Sequence, residues 1–321
     1  MTGIGCKTAC GPTGGTRMRQ GAGWAVRATA PVVVGALAHI GPAATWLPEL
    51  RRRRFPALAG QGRSGHVALT FDDGPDPLST PRILDVLDAL GVRATFFFLG
   101  ENVARRPAVA GETVRRGHEL AVHGWSHDRP WLPTPVRDVR EVLRAAQVVG
   151  EAAGQAPRWY RPPYGILTTG RWSAARRAGL RPVLWTAWGK DWRADATPES
   201  VRATVAAALR GGGTVLLHDT DHASAPGSWR ATLGALPGIV RDCREAGLEV
   251  GPLGEHGVPG RGSDPSGGTS ACPGPPGAGS SGGAEAAAAA ARASGRWEGP
   301  GGAGPVTSGV RPFRRSAPGQ S

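Results

Sequence analysis

Two adjacent carboxylates, Asp72 and Asp73, lie in the segment Thr70-Phe-Asp-Asp-Gly-Pro75. Neighbouring side chains on a strand point to opposite faces. At a strand end, therefore, one carboxylate can hold a metal ion while the other stays free as a base. Asp-Asp-Gly-Pro is also an ordinary turn sequence; the apolar Val67-Ala-Leu-Thr-Phe71 run before it argues for a buried strand end. His123 and His127, in His123-Gly-Trp-Ser-His127, are four apart, so both imidazoles could reach one ion from a helix face or from a loop. With Asp73 they form a set of two histidines and one carboxylate, leaving positions for water and substrate as a hydrolytic metal requires. Zinc is the default ion for these donors, and cobalt or another divalent ion suits them as well.

Three further residues could complete a hydrolytic site. Arg161, in Arg161-Pro-Pro-Tyr164, sits in a loop stiffened by two prolines. Near Asp72 it would orient that carboxylate for work as a base; on local grounds it reads equally as a surface arginine in a turn. His218 ends the apolar run Val215-Leu-Leu217. Such a histidine can serve as a general acid near neutral pH, or simply as a capped core residue. Asp191, followed by Trp192, would favour the protonated form of His218 if it lies close.

These residues need a scaffold that brings strand ends together. Between about 64 and 256 the chain alternates strand-like and helix-like runs. Strands are expected at His66–Phe71, Arg93–Leu99, Glu119–Val122, Arg158–Arg161, Pro182–Thr186, Thr214–His218 and Leu248–Leu253. Ser79 is expected to cap a helix carrying Ile83, Leu84, Leu87 and Leu90 on one face. Further helices are expected at about 107–117, 134–153, 168–178, 198–209 and 230–246, the second of these with Val136, Val139, Val142, Leu143 and Ala146 inward. Alternation of this kind implies parallel strands with right-handed crossovers. About seven of them suit a barrel, with the polar motifs on its functional face.

In order along the chain, these motifs match a known family. Residues 64–256, about 60 per cent of the chain, resemble the NodB-homology polysaccharide deacetylases, carbohydrate esterase family 4. The five matching motifs are Thr70-Phe-Asp-Asp-Gly-Pro75, His123-Gly-Trp-Ser-His127, Arg161-Pro-Pro-Tyr164, Asp191-Trp192 and Leu216-Leu-His218. Gly124 departs from the Ser or Thr often found there. The resemblance implies a distorted (β/α) barrel and metal-dependent removal of N-acetyl, sometimes O-acetyl, groups from sugars. By position it implies Asp72 as base, Asp73, His123 and His127 as metal ligands, and Arg161 as the partner that positions Asp72. Asp191 would support His218 as acid, and the Tyr164 backbone N–H would face the oxyanion. Trp192 and Leu216 would line a pocket for the acetyl methyl. The expected partner is an acetylated sugar or polysaccharide, bound by a monomer. The rival readings are a deacetylase of a small non-polymer amide and an inactive carbohydrate-binding protein. Trp125, Trp131, Trp188, Trp192 and Trp229 are candidates for stacking sugars.

The charge pattern bounds the rest. Residues 1–63 carry nine Lys/Arg and one acid, residues 257–321 six and three, and residues 64–256 a near-balanced 23 and 21. The formal +13 thus belongs mainly to the ends. The core shows no basic stripe interleaved with aromatics, so no nucleic-acid partner is expected. Residues 28–48 contain no Asp, Glu, Lys or Arg and are followed by Arg51–Arg54. The length suits a membrane anchor, a reading that Pro31, Pro42, Pro48 and His39 weaken; the alternative is an N-terminal helix packed on the domain. Charge after the apolar run places the following domain in the cytoplasm if the segment spans, and in the cell envelope if it acts as a signal. Of the last 65 residues 26 are Gly or Pro, the composition of a disordered tail. Cys6, Cys10, Cys243 and Cys272 form neither a disulfide framework nor a zinc ribbon.

Overall fold

The structure, a computed structural model, describes residues 33–129 and 134–259. Residues 28–32, Trp131 and the tail beyond 259 lie outside them. Within the described residues, helix α1 (33–40) leads through a 3-10 turn at Gly41–Trp46 into α2 (Pro48–Arg54). The alternating part follows as β1 (His66–Asp72), α3 (Thr80–Leu90), β2 (Thr95–Phe98), α4 (Gly100–Arg105), α5 (Pro107–Arg115) and β3 (Glu119–Val122). Then come α6 (Pro135–Ala153), β4 (Trp159–Tyr160), α7 (Thr169–Arg177), β5 (Arg181–Pro182), β6 (Ala187–Trp188), α8 (Pro198–Ala208), β7 (Thr214–His218), α9 (Trp229–Glu245) and β8 (Glu249–Gly251). None of the described helices is long and apolar enough to cross a membrane.

All strand pairs are parallel, in the order β5-β4-β3-β2-β1-β7-β6. Ala68 pairs with Thr214 of β7 and with Gly251 of β8, so β8 shares the other edge of β1 with β2. The edges of the order, β5 and β6, are consecutive in the chain. Residues 183–186 therefore carry the backbone from one edge to the other and close the sheet into a distorted (β/α) barrel. Of the expected strand Pro182–Thr186 only Pro182 lies in a strand, and 183–186 form the crossing at this seam between the short strands β5 and β6. Val183 N–H donates to Tyr160 O at 2.9 Å on one side, and Thr186 N–H to Thr214 O at 3.0 Å on the other.

Strand parity sorts the side chains. Val67, Leu69 and Phe71 belong to the core between sheet and helices, whereas Ala68 lies in a second cluster with Phe97, Ala121, Trp159 and Val183. That second cluster fills the barrel interior. Positions in step with it are Thr70 and Asp72 on β1, His123 after β3 and Arg161 after β4, so a period of two delivers these residues to one interior. Every residue of β1 is buried, as expected of a strand covered on both faces.

Two helix expectations are corrected. The side chain that caps α3 is Asp76, whose Oδ1 accepts from the N–H groups of Leu78 at 2.8 Å and Ser79 at 3.0 Å. Ser79 makes no side-chain cap, because its own hydroxyl donates to Asp76. On α6 the inward residues are Asp138, Val142, Ala145 and Val149, while Val136 and Leu143 face solvent and Val139 and Ala146 are half-buried. The 4-3-4 spacing of the buried set follows the helical period as well as the expected face does. The buried position filled by Asp138 conceals it from a hydrophobicity count.

Candidate active site

The site lies where β1, β3, β4 and β7 end. Backbone hydrogen bonds tie these ends together: His123 N–H to Phe98 O at 3.0 Å, and Arg161 N–H to Val122 O at 2.9 Å. Asp72 and Asp73 diverge as expected. Asp72 Oδ1 accepts from Arg161 Nη1 at 2.7 Å. Asp73 turns the other way, with Oδ1 3.2 Å from His123 Nε2 and 3.4 Å from His127 Nε2. The turn is abrupt: Asp73 has φ +82°, a left-handed conformation that a non-glycine residue adopts only when its surroundings enforce it. Asn102 Nδ2 donates to Asp73 O at 2.9 Å, and Asp219 Oδ1 accepts from Gly74 N–H at 3.1 Å. Asp219 also accepts from the Thr80 hydroxyl. Burial drives the Asp219 carboxyl up to about 7.

His123 and His127 lie in the loop after β3 rather than on a helix. Gly124 between them has φ +106°, a conformation that suits glycine and gives a physical reason for its departure from Ser or Thr. The fit of this set to a metal is supported by its unpaired atoms. Both Asp73 carboxylate oxygens and the Nδ1 atoms of His123 and His127 are buried with no hydrogen-bond partner. Leaving such atoms unpaired is costly, and a cation beside Asp73, facing the Nε2 atoms of the two histidines, would satisfy the carboxylate oxygens. One ligand atom from each of Asp73, His123 and His127 falls within 4.8 Å of the others. Burial holds the His127 imidazole down to about 4, so it is neutral near pH 7, as a ligand must be. Burial alone would raise the Asp73 carboxyl, but the imidazoles of His123, His218 and His127 hold it below the ordinary carboxylate range.

Arg161 is fully buried. Its Nη1 also donates to Thr70 Oγ1 at 2.9 Å, while Nη2 and Nε reach Leu184 O at 2.9 Å and Val183 O at 3.4 Å. Its guanidinium lies 4.0 Å from the Phe97 ring centroid. The surface-turn reading is therefore wrong. The guanidinium ties the base candidate to the barrel seam and supplies donors to carbonyls that the crossing leaves free of sheet pairing.

Opposite stands His218, whose Nδ1 is 3.0 Å from Asp191 Oδ1 and whose N–H donates to Asp191 Oδ2 at 2.7 Å. Thr232 donates to the same Oδ2 at 2.6 Å. Burial pulls the His218 imidazole down, but Asp191, with Asp73 and Asp72 beyond it, raises it to about 10. The Nδ1 contact leaves Nε2 as the nitrogen available to a substrate.

A cavity of about 620 Å³ adjoins these groups, lined by Asp72, Asp73, His123, His127, His218, Tyr164, Trp192 and Leu216. Tyr164, at φ +59°, sets its ring edge-on to His127 with centroids 4.3 Å apart. Of the tryptophans expected at the site, Trp188 and Trp192 line the cavity. Trp229 is buried in α9 and Trp125 is capped by Arg144 at 3.6 Å, so both serve packing. The lining residues not anticipated include Trp185, which stacks on Trp188, and Ala43 and Trp46 from the segment before the barrel. No local motif marks Ala43 or Trp46, since only the docking of that segment brings them to the site.

Comparison with known proteins agrees with this geometry. The polysaccharide deacetylase family profile matches residues 59–183. A chitooligosaccharide deacetylase from a Bradyrhizobium species is 37% identical over 212 residues, covering 63% of this chain and 94% of the relative. A peptidoglycan-N-acetylglucosamine deacetylase from Bacillus cereus is 31% identical over 185 residues, 57% of this chain and 67% of the relative. A family 4 carbohydrate esterase from Streptomyces lividans, solved with acetate, superposes with a TM-score of 0.53 at 31% identity, over 59% of this chain and 93% of that one. The chain belongs to the polysaccharide deacetylases of carbohydrate esterase family 4, hydrolases acting on carbon–nitrogen bonds other than peptide bonds.

Proposed function

We propose that the chain removes N-acetyl groups from an N-acetylglucosamine-type sugar in a polymer or glycoconjugate, releasing acetate with the help of one divalent ion, zinc by default. The observation that carries this reading is the buried Asp72–Arg161 pair set beside the Asp73, His123, His127 cluster, with His218 across the cavity. An ion held by Asp73, His123 and His127 would polarise the acetyl carbonyl and acidify a water.

The remaining chemistry belongs to the protein. Asp72, held by Arg161, would take the proton of the attacking water. As the carbonyl oxygen gains charge, the Tyr164 backbone N–H would donate to it. His218, protonated through its contact with Asp191, would hand a proton from Nε2 to the departing amine. Trp192 and Leu216 would enclose the acetyl methyl. The products are acetate and a free amino sugar. The names of the relatives support the sugar class, chitooligosaccharide and peptidoglycan being the substrates in those names.

Acetate release from N-acetylglucosamine oligomers and from peptidoglycan, with zinc, cobalt or chelator, tests the proposal. Turnover should vanish with chelator and return with zinc. Asp72→Asn should lower kcat by about 10²–10⁴ while metal content stays that of the unaltered protein. Unchanged turnover in that variant would remove Asp72 from the role of base.

A further inference from the structure

The segment preceding the barrel has its polarity reversed. A surface helix ordinarily buries its apolar stripe and shows polar residues to water. Here the buried side carries the polar anchors. His39 and Thr45 are buried. Arg51, 3% exposed, donates to Thr45 O at 3.0 Å and to Trp185 O at 2.8 Å. The outward side is apolar. Among the described residues, eight of the twelve large hydrophobic side chains exposed to solvent fall between 33 and 55. On α1, Val34, Leu37 and Ile40 follow a three-residue spacing, and Leu37 is 66% exposed; Leu47 and Leu50 continue the run. Scattered exposed leucines need no explanation, but a concentration of this kind marks a surface made to be covered.

The charge beside the patch indicates what covers it. Arg52, Arg53 and Arg54 follow Leu50 directly, and Glu49 is the lone acid between 33 and 55. The Arg53 side chain is 82% exposed. Apolar side chains bordered by exposed arginines fit the boundary between acyl chains and anionic headgroups. The family profile begins at residue 59, so this segment lies ahead of the matched region. It nevertheless reaches the cavity, because Ala43 and Trp46 form part of the wall that Trp185, Trp188 and Trp192 continue.

We propose that residues 33–55 dock on an anionic lipid surface and hold the mouth of the active-site cavity against it, so that the enzyme takes an amphiphilic glycan, an acetylated amino sugar on an apolar carrier. The docking stands on the surface alone; the substrate class rests on the deacetylase reading above.

Flotation of the full chain with vesicles tests the docking. Binding is expected with phosphatidylglycerol in phosphatidylcholine and should weaken at high salt, where headgroup attraction is screened. The triple variant Leu37→Asp, Leu47→Asp, Leu50→Asp should lose it. Arg53→Glu with Arg54→Glu, a change confined to exposed charges, should weaken it at least about ten-fold. Failure of the unaltered chain to float, or its assembly into a dimer that buries the patch, would overturn the proposal. In the second arm, acetate release is compared for an alkyl N-acetylglucosaminide embedded in those vesicles and a soluble N-acetylglucosamine oligomer. A preference of about ten-fold for the embedded substrate, abolished in both variants with soluble turnover unchanged, supports the substrate class. Equal rates on the two substrates refute it. Flotation without acetate from either substrate would instead sink the deacetylase reading and leave the docking standing.

Discussion

Asp191 engages both carboxylate oxygens with His218, and this arrangement makes the pH profile a probe of one residue. Its contact raises the imidazole to about 10 against the pull of burial. A raised histidine keeps its proton below that value and loses it as pH rises through it. An ion on Asp73 would offset that carboxylate's share, so Asp191 is the contribution that should persist in the loaded enzyme. Asp191→Asn should therefore move the alkaline limb of kcat/KM toward neutrality by about one unit or more, with Thr232 still able to hold the side chain. An alkaline limb that stays in place would show that another group supplies the proton. At this scale the motifs were legible because each needs particular side chains. Asp219 and Asn102 were not singled out, since their work is to hold the N–H and C=O of the peptide that follows Asp73, and no residue type is reserved for that.

At the scale of elements, the strand ends place the site, and strand parity explains why their residues meet. Asp72, His123 and Arg161 fall on the inward phase of β1, β3 and β4, and the short apolar runs before them were sufficient to reveal the barrel. The seam was not legible. Val183-Leu-Trp-Thr186 has the composition of a strand, and only closure of the sheet decides that it must cross from β4 to β7 instead. Arg161 spans that crossing. Arg161→Met would leave the buried Asp72 carboxylate unpaired and remove the donors to Val183 and Leu184, so a loss of about 3–5 kcal/mol is expected. The shift in urea midpoint measures it. Arg161→Lys should recover only part, because one ammonium cannot fork across both partners. A stability equal to that of the unaltered protein would mean that the seam holds without the arginine.

For the molecule as a whole, the ends of the barrel are joined at a pair of histidines remote from the cavity lining. His66 Nδ1 lies 2.8 Å from His256 Nδ1, and His256 Nε2 lies 3.1 Å from both Gly60 O and Gly212 O. The pair thus links the start of β1, the approach to the barrel, the turn before β7 and the stretch after β8. Burial lowers both imidazoles, His256 to about 4. In the unfolded chain they titrate near 6.5. Below that value the unfolded state takes up protons that the folded state resists, at His256 until about 4. Stability is therefore fully present above the unfolded value and is lost as pH falls toward the folded one. Thermal melts of the metal-free protein should lose several degrees between about pH 7 and about pH 5. A flat profile there would show that the fold tolerates the charged pair. The docked segment ahead of the barrel was only half legible: its lack of charge pointed to burial or a membrane, but the buried contacts of Arg51 could not be inferred from a cluster of four arginines.

The placement of Arg161 has a consequence for how this lineage can change. A side chain that both orients the candidate base and bridges the seam is under two separate selective pressures. A descendant that lost Asp72, and with it turnover, would still need a donor to the carbonyls of Val183 and Leu184. The arginine should therefore outlast the activity, persisting in inactive copies as an architectural relic. Among descendants of this chain, the pairing of Arg161 with an acid at position 72, rather than the arginine itself, should separate working enzymes from silent ones.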